Sequence, residues 1–145
     1  MQDSDIKQNF LNSMRGITST VNVISAAAEG QRHAMTATSV TSLSLDPPSM
    51  LVCINKDASL HKILLDNSNF CINVLSSLQK ELAEVCSNSE EGESRFVSES
   101  WKDEGPYIYN EDALSNIFCT KTNQVDHTSH TIFIGTVDRV INLSL

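Results

Sequence analysis

The stretch HAMTATSVTSLSLDPPSMLVCINKDAS, from His33 to Ser59, constrains the fold more than any other part of the chain. Six Ser or Thr residues stand between Met35 and Asp46, interleaved with Ala37, Val40, Leu43 and Leu45. A turn would scatter Gly, Asn and Pro among its hydroxyls. Here polar and apolar positions are interleaved instead, as in a strand. After Pro47-Pro48 the run Met50 to Ile54 is continuously apolar, which predicts a strand buried on both faces. A polar strand joined to a buried one points to a sheet that holds a polar ligand along part of its length. The plainer alternative is an edge strand rich in Thr for its β propensity.

Around this stretch the chain reads as strands with small helices inserted. Ile6, Phe10 and Met14 recur every four residues and predict a helix over 4–14, stopped at Gly16. ITSTVNVISAA alternates like a strand, and AEGQRH predicts a hairpin turn around Gly30. DASLHKILLDNS predicts a short helix capped by Asp57 or Ser59, with Leu60, Ile63 and Leu64 on its inner face. FCINVL predicts a strand. SSLQKELAEVC predicts a helix opened by Ser76 and Gln79 in capping-box spacing, with Leu78, Leu82 and Val85 on one face. SNSEEGES, without an apolar residue, predicts a surface loop. NIFCTK and TIFIGTVDRVIN predict two late strands. Successive strands without βαβ alternation predict a mainly β fold, an antiparallel barrel decorated by helices. Neither GxGxxG nor GxxxxGK[ST] occurs, so a nucleotide would be held without a Rossmann or P-loop turn.

At 145 residues the chain is expected to form one domain over 1–145. Its net charge of −8 argues against binding nucleic acid or an acidic membrane surface, both of which require Lys and Arg. Cys53, Cys71, Cys86 and Cys119 lack metal-ligand spacing, and all four are expected to be free thiols in a reducing compartment. Cys53 and Cys71, in apolar runs, are expected in the core and resistant to thiol reagents. No apolar run is long enough to span a bilayer and MQDSDIKQNF is not a signal sequence, so a cytoplasmic protein is expected.

Two features suit a ligand. Thr36, Thr38, Ser39, Thr41 and Ser42 offer hydroxyls to a flat heteroaromatic molecule laid along the strand. The NKDAS turn ahead of the short helix combines Lys56, Ser59 and free backbone N–H groups, a setting in which phosphate is stable. An ordinary capped helix is the competing reading there. His127 and His130 form an HxxH in a presumed loop, but lack a third metal ligand. His130 suits a hydrogen-bond donor at the mouth of a site better than a metal ligand. No Ser-His-Asp or Cys-His arrangement stands out, so a reaction carried by a cofactor fits best.

MTATSVTSLSLDPPSMLVCINKDASLH followed by FCINVLSSLQKELA resembles the central signature of the flavin reductase domain family. NFLNSMRGITSTVNVISA, RFVSESW, GPYIYNEDALSNIFC and HTIFIGTVDRV resemble its other blocks, in the same order. The resemblance implies a split β-barrel of the FMN-binding, antiparallel Greek-key type that works as a homodimer. It implies binding of FMN, or FAD in some members, and hydride transfer to it from NADH or NADPH. The product, reduced flavin, would go to a partner monooxygenase. A flavin- or haem-binding split barrel without turnover is the alternative. Carried onto this chain, the resemblance lays Met35, Thr36, Ala37, Thr38, Ser39, Thr41 and Ser42 along the flavin ring and ribityl chain. It sets Cys53 and Ile54 beside the cofactor and Asn55, Lys56 and Ser59 at the phosphate. It puts His130 near the nicotinamide side. Members usually continue into a segment like PLLYYRGRY, where this sequence reads VINLSL, so a shortened flavin closure is expected.

Overall fold

A computed structural model describes residues 2–143, the side chains of 89–91 excepted. Its elements in chain order are α1 (Asp3–Met14), β1 (Asn22–Ala28), β2 (Gln31–Ala37), β3 (Val40–Leu45), β4 (Pro48–Asn55), α2 (Ser59–Asp66), β5 (Asn69–Val74), α3 (Lys80–Cys86), β6 (Trp101–Glu104), β7 (Tyr107–Asn110), β8 (Ser115–His127) and β9 (His130–Asn142). Short 3-10 segments cover Ser77–Gln79 and Ser89–Phe96. Among the described residues no helix is long and apolar enough to cross a membrane.

Seven strands form one antiparallel sheet in the order β2-β1-β5-β8-β9-β4-β3. Its two edge strands, β2 and β3, are consecutive in the chain and separated only by Thr38 and Ser39. The sheet must therefore curl until its edges approach one another, which gives the mainly β, barrel-like architecture expected from the sequence. Ile24, Val52, Ile54, Phe70 and Phe133 fill the interior, joined by Leu60 and Leu64 of α2. Gly135 is required there: a Cβ on it would come within 2.9 Å of Phe70 Cζ and 3.0 Å of Cys119 Cβ. A second cluster, Val23, Ala34, Leu75, Phe96, Trp101 and Ile108, packs the β6–β7 ribbon, α3 and the 3-10 segment on the other face of β1 and β2.

Several expectations change in the folded chain. The alternating run from Ile17 becomes strand only at Asn22, and Asn22–Ala26 is buried on both faces, because apolar clusters form on both sides of β1. β4 shows the opposite pattern: Val52 and Ile54 are buried whereas Leu51 and Cys53 are half-buried, so only one face enters the core. Cys53 thus departs from the expected core thiols, whereas Cys71, Cys86 and Cys119 are buried. Burial pushes the Cys86 thiol up to about 11 and, with the nearby Asp138 charge adding, the Cys119 thiol up to about 12.

The helix caps also differ. α2 is preceded by Ala58, with no side-chain cap from Asp57 or Ser59; the Asp57 N–H is bound instead by Asn55 Oδ1 at 2.8 Å. Ile63 is half-buried but packs against the core as expected, and His61 joins Leu60 and Leu64 as a buried residue of α2. The Ser76–Gln79 capping box is present, but it opens a 3-10 turn and leaves Leu78 exposed. SNSEEGES winds into 3-10 structure interrupted at Gly92, whose φ of 54° suits glycine. The expected hairpin at Gly30 is present, with φ of 50° at Glu29 and 80° at Gly30, the sign pair of a tight primed turn.

Candidate functional site

Side chains along a strand alternate between faces, and in β4 and β9 this separates core from candidate site. Val52, Ile54, Thr131 and Phe133 point inward and are fully buried. Leu51, Cys53 and Asn55 of β4, with His130, Ile132 and Ile134 of β9, point to the other face. The register pairs them as Leu51 with Ile134, Cys53 with Ile132, and Asn55 with His130. On the far side of β4, Thr41 pairs with Leu51 and Ser42 with Met50. Where that ladder ends, the Cys53 N–H donates to the Ser39 carbonyl at 3.0 Å. The result is an outer surface with a half-buried apolar floor, bordered by hydroxyls on one side and ending at Asn55 and His130. From Leu51 to Asn55 it extends about 14 Å at the usual strand rise.

The polar end is built from two turns. Between β4 and α2, the Asn55 side chain binds the Asp57 N–H, and the Ala58 N–H donates to the Asn55 carbonyl at 3.0 Å. The Lys56 N–H donates to the Ser129 carbonyl at 2.9 Å, which fastens this turn to the tip of the β8–β9 hairpin. Ser129 Oγ in turn lies 2.8 Å from His130 Nδ1. His127 and His130 are therefore strand ends, paired across a two-residue turn, not residues of an open loop. Residues far apart in sequence, Ser39, Asn55, Lys56, Ser59 and His130, are thus brought to one end of the sheet.

Not every residue singled out by the sequence offers its side chain. Ile54 and Ala37 face the core, and Met35 packs against the same cluster. Thr36 Oγ1 donates to the Ala83 carbonyl at 2.6 Å, tying β2 to α3. Thr38, Ser39, Thr41, Ser42, Asn55, Lys56 and Ser59 are exposed, and Cys53 is half-buried. Among the described residues the side chains of Thr38, Ser39, Ser42, Lys56 and Ser59 have no hydrogen-bond or ion-pair partner. Unpaired hydroxyls and one unpaired ammonium suit a ligand with a polar chain and a phosphate. Next to Ser59, a cleft of about 460 Å³ opens between α2 and the β1–β2 turn, lined by Arg32, His33, Lys62 and Glu93 among others.

The sequence reading missed two buried polar groups beside this surface. His61, third residue of α2, reaches into the barrel end and places Nε2 2.7 Å from Thr131 Oγ1, while Thr131 Oγ1 donates to Asp126 Oδ1 at 2.9 Å. Arg95 is buried against β2, donating to the Ala34 carbonyl at 2.8 Å and to the Asn88 carbonyl at 2.9 Å, with Nη1 3.0 Å from the His33 ring nitrogens. Burial, reinforced by the Arg95 charge, lowers His33 to about 4. A lone His inside an amphipathic helix and a lone Arg in a polar run gave no signal of these partners.

Comparison with known proteins gives a consistent picture. The family model described as "Flavin reductase like domain" matches residues 14–144. The reductase component of an FADH2-dependent resorcinol hydroxylase from Rhizobium sp. is 38% identical over 135 residues, covering 91% of this chain and 75% of that protein. An NADH-dependent FMN reductase, RutF, from Agrobacterium fabrum is 33% identical over 138 residues, covering 92% of this chain and 78% of that protein. The crystal structure of a putative flavin reductase from Haemophilus somnus superposes with a TM-score of 0.90 at 26% identity, covering 99% of this chain and 90% of the other.

Proposed function

Because this chain belongs to the flavin reductase like domain family, we propose that it is an NAD(P)H:flavin oxidoreductase that supplies reduced flavin to a separate monooxygenase. FMN is the preferred flavin, with FAD as the alternative, and NADH the preferred donor over NADPH. The activities of the two relatives, an NADH-dependent FMN reductase and a hydroxylase's reductase component, support this reading. The observation that carries it is the outer surface of β3, β4 and β9, where unpaired hydroxyls border an apolar floor and Lys56 stands free at the end.

When bound there, flavin supplies the acceptor for a hydride from the nicotinamide ring. The chain's task is alignment and electrostatics. Leu51, Cys53, Ile132 and Ile134 offer a flat apolar floor that keeps water from one face of a ring. Thr38, Ser39 and Thr41 offer hydroxyls to the polar edge and sugar-like chain of the ligand, whereas Ser42, paired with the core-facing Met50, lies on the other face of β3. Lys56 and Ser59 hold the phosphate, with Asn55 shaping the turn. His130, held at the hairpin tip beside Ser129, donates a hydrogen bond at the nicotinamide side.

Two copies of the chain complete the site in this reading. α1 buries none of its residues, and Ile6, Phe10, Leu11 and Met14 stand exposed, an apolar face suited to a second copy at an isologous interface. Four free cysteines favour a reducing, cytoplasmic setting.

The decisive experiment titrates FMN or FAD into the purified protein and then adds NADH without oxygen, following the flavin spectrum. Bound flavin that bleaches with enzyme-dependent turnover supports the reductase. Binding without bleaching leaves a flavin carrier, and absence of binding overturns the site. FMN should also protect Cys53, the one half-buried thiol, from a thiol reagent. Light scattering should report a dimer.

A further inference from the structure

The phosphate turn and the histidine-bearing hairpin tip come from distant parts of the chain, and one buried side chain lies under both. His61 is 8% exposed and Thr131 fully buried. Thr131 is paired with Ile54 in β4 on one side and with Asp126 in β8 on the other. Its neighbour is His130, and the Ser129 carbonyl beyond holds the Lys56 N–H. His61 sits two residues after Ser59, with its own N–H donating to the Ala58 carbonyl at 3.0 Å.

The hydrogen-bond chain fixes its own direction. A threonine hydroxyl has one proton, and Thr131 gives it to the Asp126 carboxylate. Its oxygen must then accept from His61, so Nε2 of His61 bears the hydrogen. The ring is further held edge-on to Phe133, centroids 5.5 Å apart. α2 needs such an anchor, because Ala58 provides no side-chain cap and the first turn has no acidic residue. Leu60 and Leu64 bury one stripe of α2 in the core, but apolar contacts permit small rotations and slides that a directed hydrogen bond does not.

We propose that His61 is a positioning residue for flavin binding: through Thr131 and Asp126 it sets the first turn of α2, with Lys56 and Ser59, in register with the hairpin tip that carries His130. It touches no ligand itself. This rests on the reading of the Asn55–Ser59 turn as the phosphate site, and it names the part of the fold that makes that turn precise.

The test compares FMN with riboflavin, which has the same ring and no phosphate, in His61→Phe, His61→Gln, Thr131→Val and Lys56→Ala proteins. His61→Phe keeps a ring against Phe133 and removes the donor; Thr131→Val keeps the shape and removes the hydroxyl; His61→Gln places an amide N–H near the original Nε2. The first two should weaken FMN by about five- to tenfold, the scale of one lost buried hydrogen bond, with riboflavin affinity unchanged. His61→Gln should recover most of the FMN affinity. Should FMN and riboflavin weaken together, or Gln fail to rescue while thermal stability is retained, His61 is a structural residue and the inference is overturned. Lys56→Ala separates the two layers. If it leaves the FMN-to-riboflavin ratio unchanged, the phosphate lies elsewhere and the site reading fails. If it lowers the ratio while His61→Phe does not, only the positioning role fails.

Discussion

Two buried polar clusters hold peripheral pieces onto this sheet, and they are built differently. Under the β6–β7 ribbon, Asn73 donates to the Val23 carbonyl at 2.8 Å and to Ser25 Oγ at 2.9 Å. Its Oδ1 accepts from the Asn110 N–H and from Asn116 Nδ2, both at 2.9 Å. Ser25 Oγ passes its proton to the Ile108 carbonyl at 2.6 Å, and Gln79 Nε2 reaches Asn110 Oδ1 at 3.2 Å. The members are neutral amides and a hydroxyl, with the buried Cys71 thiol also reaching Asn73 Oδ1, and Asn73 itself is fully buried. At the other cluster, His61 and Asp126 are ionisable, the chain ends at an exposed carboxylate, and the neighbouring Lys56 and Ser59 side chains have no partner among the described residues. The amides around Asn73 satisfy one another, whereas the His61 chain ends on an exposed carboxylate beside groups without a partner among the described residues.

The amide network around Asn73 should be indispensable to the fold. Asn73→Leu would leave the Asn110 N–H, the Asn116 amide, the Val23 carbonyl and Ser25 short of partners inside the protein. A loss of about 2–4 kcal/mol is expected, from the orphaned Asn110 N–H at about 1–3 kcal/mol and the second bonds lost by Asn116 and Ser25, which keep the Asn110 and Ile108 carbonyls. Urea unfolding followed by the single, buried Trp101 measures it, and a loss below about 1 kcal/mol would contradict the role given to the network.

Next in size is Gly135→Ala, in the apolar core between the two clusters. The added methyl must displace Phe70 and Cys119, at a cost of about 1–3 kcal/mol. Normal stability in that variant, with an unshifted melting temperature, would mean that β9 gives way more easily than its packing indicates.

Lys56→Ala should act in the reverse sense. Stability should be unchanged, because the ammonium has no partner among the described residues. FMN binding should weaken by about 1–2 kcal/mol, the scale of a charge-assisted hydrogen bond. Fluorescence quenching provides the affinity, and a stability change without an affinity change would erase the contrast between scaffold and site.

The remaining expected effect emerges only in acid and concerns β2. Burial and then the Arg95 charge hold His33 at about 4, below its ordinary 6.5. The folded state thus disfavours the proton that the unfolded chain binds from pH 6.5 downward. The contribution is fully present above pH 6.5 and is lost as pH falls from there through about 4. In His33→Gln that part of the acid slope should flatten; an unchanged slope between those two values would assign it to the carboxylates instead.

How much of this was legible beforehand differs between the parts. The α1 helix, the hairpin at Gly30 and the late strands were readable because each follows from local periodicity or turn chemistry. The split of the Ser/Thr stretch at Thr38–Ser39 was not, since it is the point where a curling sheet brings its first and last strands together. Nor was the one-sided burial of β4, because an apolar run reads the same whether its outer face is covered or left as the floor of a site. Asn73 was passed over for the same reason: inside FCINVL it looks like a fault in a hydrophobic strand, and only its four partners from β1, β7 and β8 explain it.

Composition and short-range spacing carry the class of fold, the lack of a glycine turn for a nucleotide, and the hydroxyl-rich stretch and Lys56 as candidate groups for a ligand. Only the tertiary structure decided which hydroxyls remain open, that Thr36 is used on α3 while Thr38 and Ser39 are not, and that His61 meets Thr131 beneath Lys56 and His130. Those are facts of register across strands far apart in the chain. A side chain's partner in a curled antiparallel sheet is set by the pairing of backbones, which no local pattern contains.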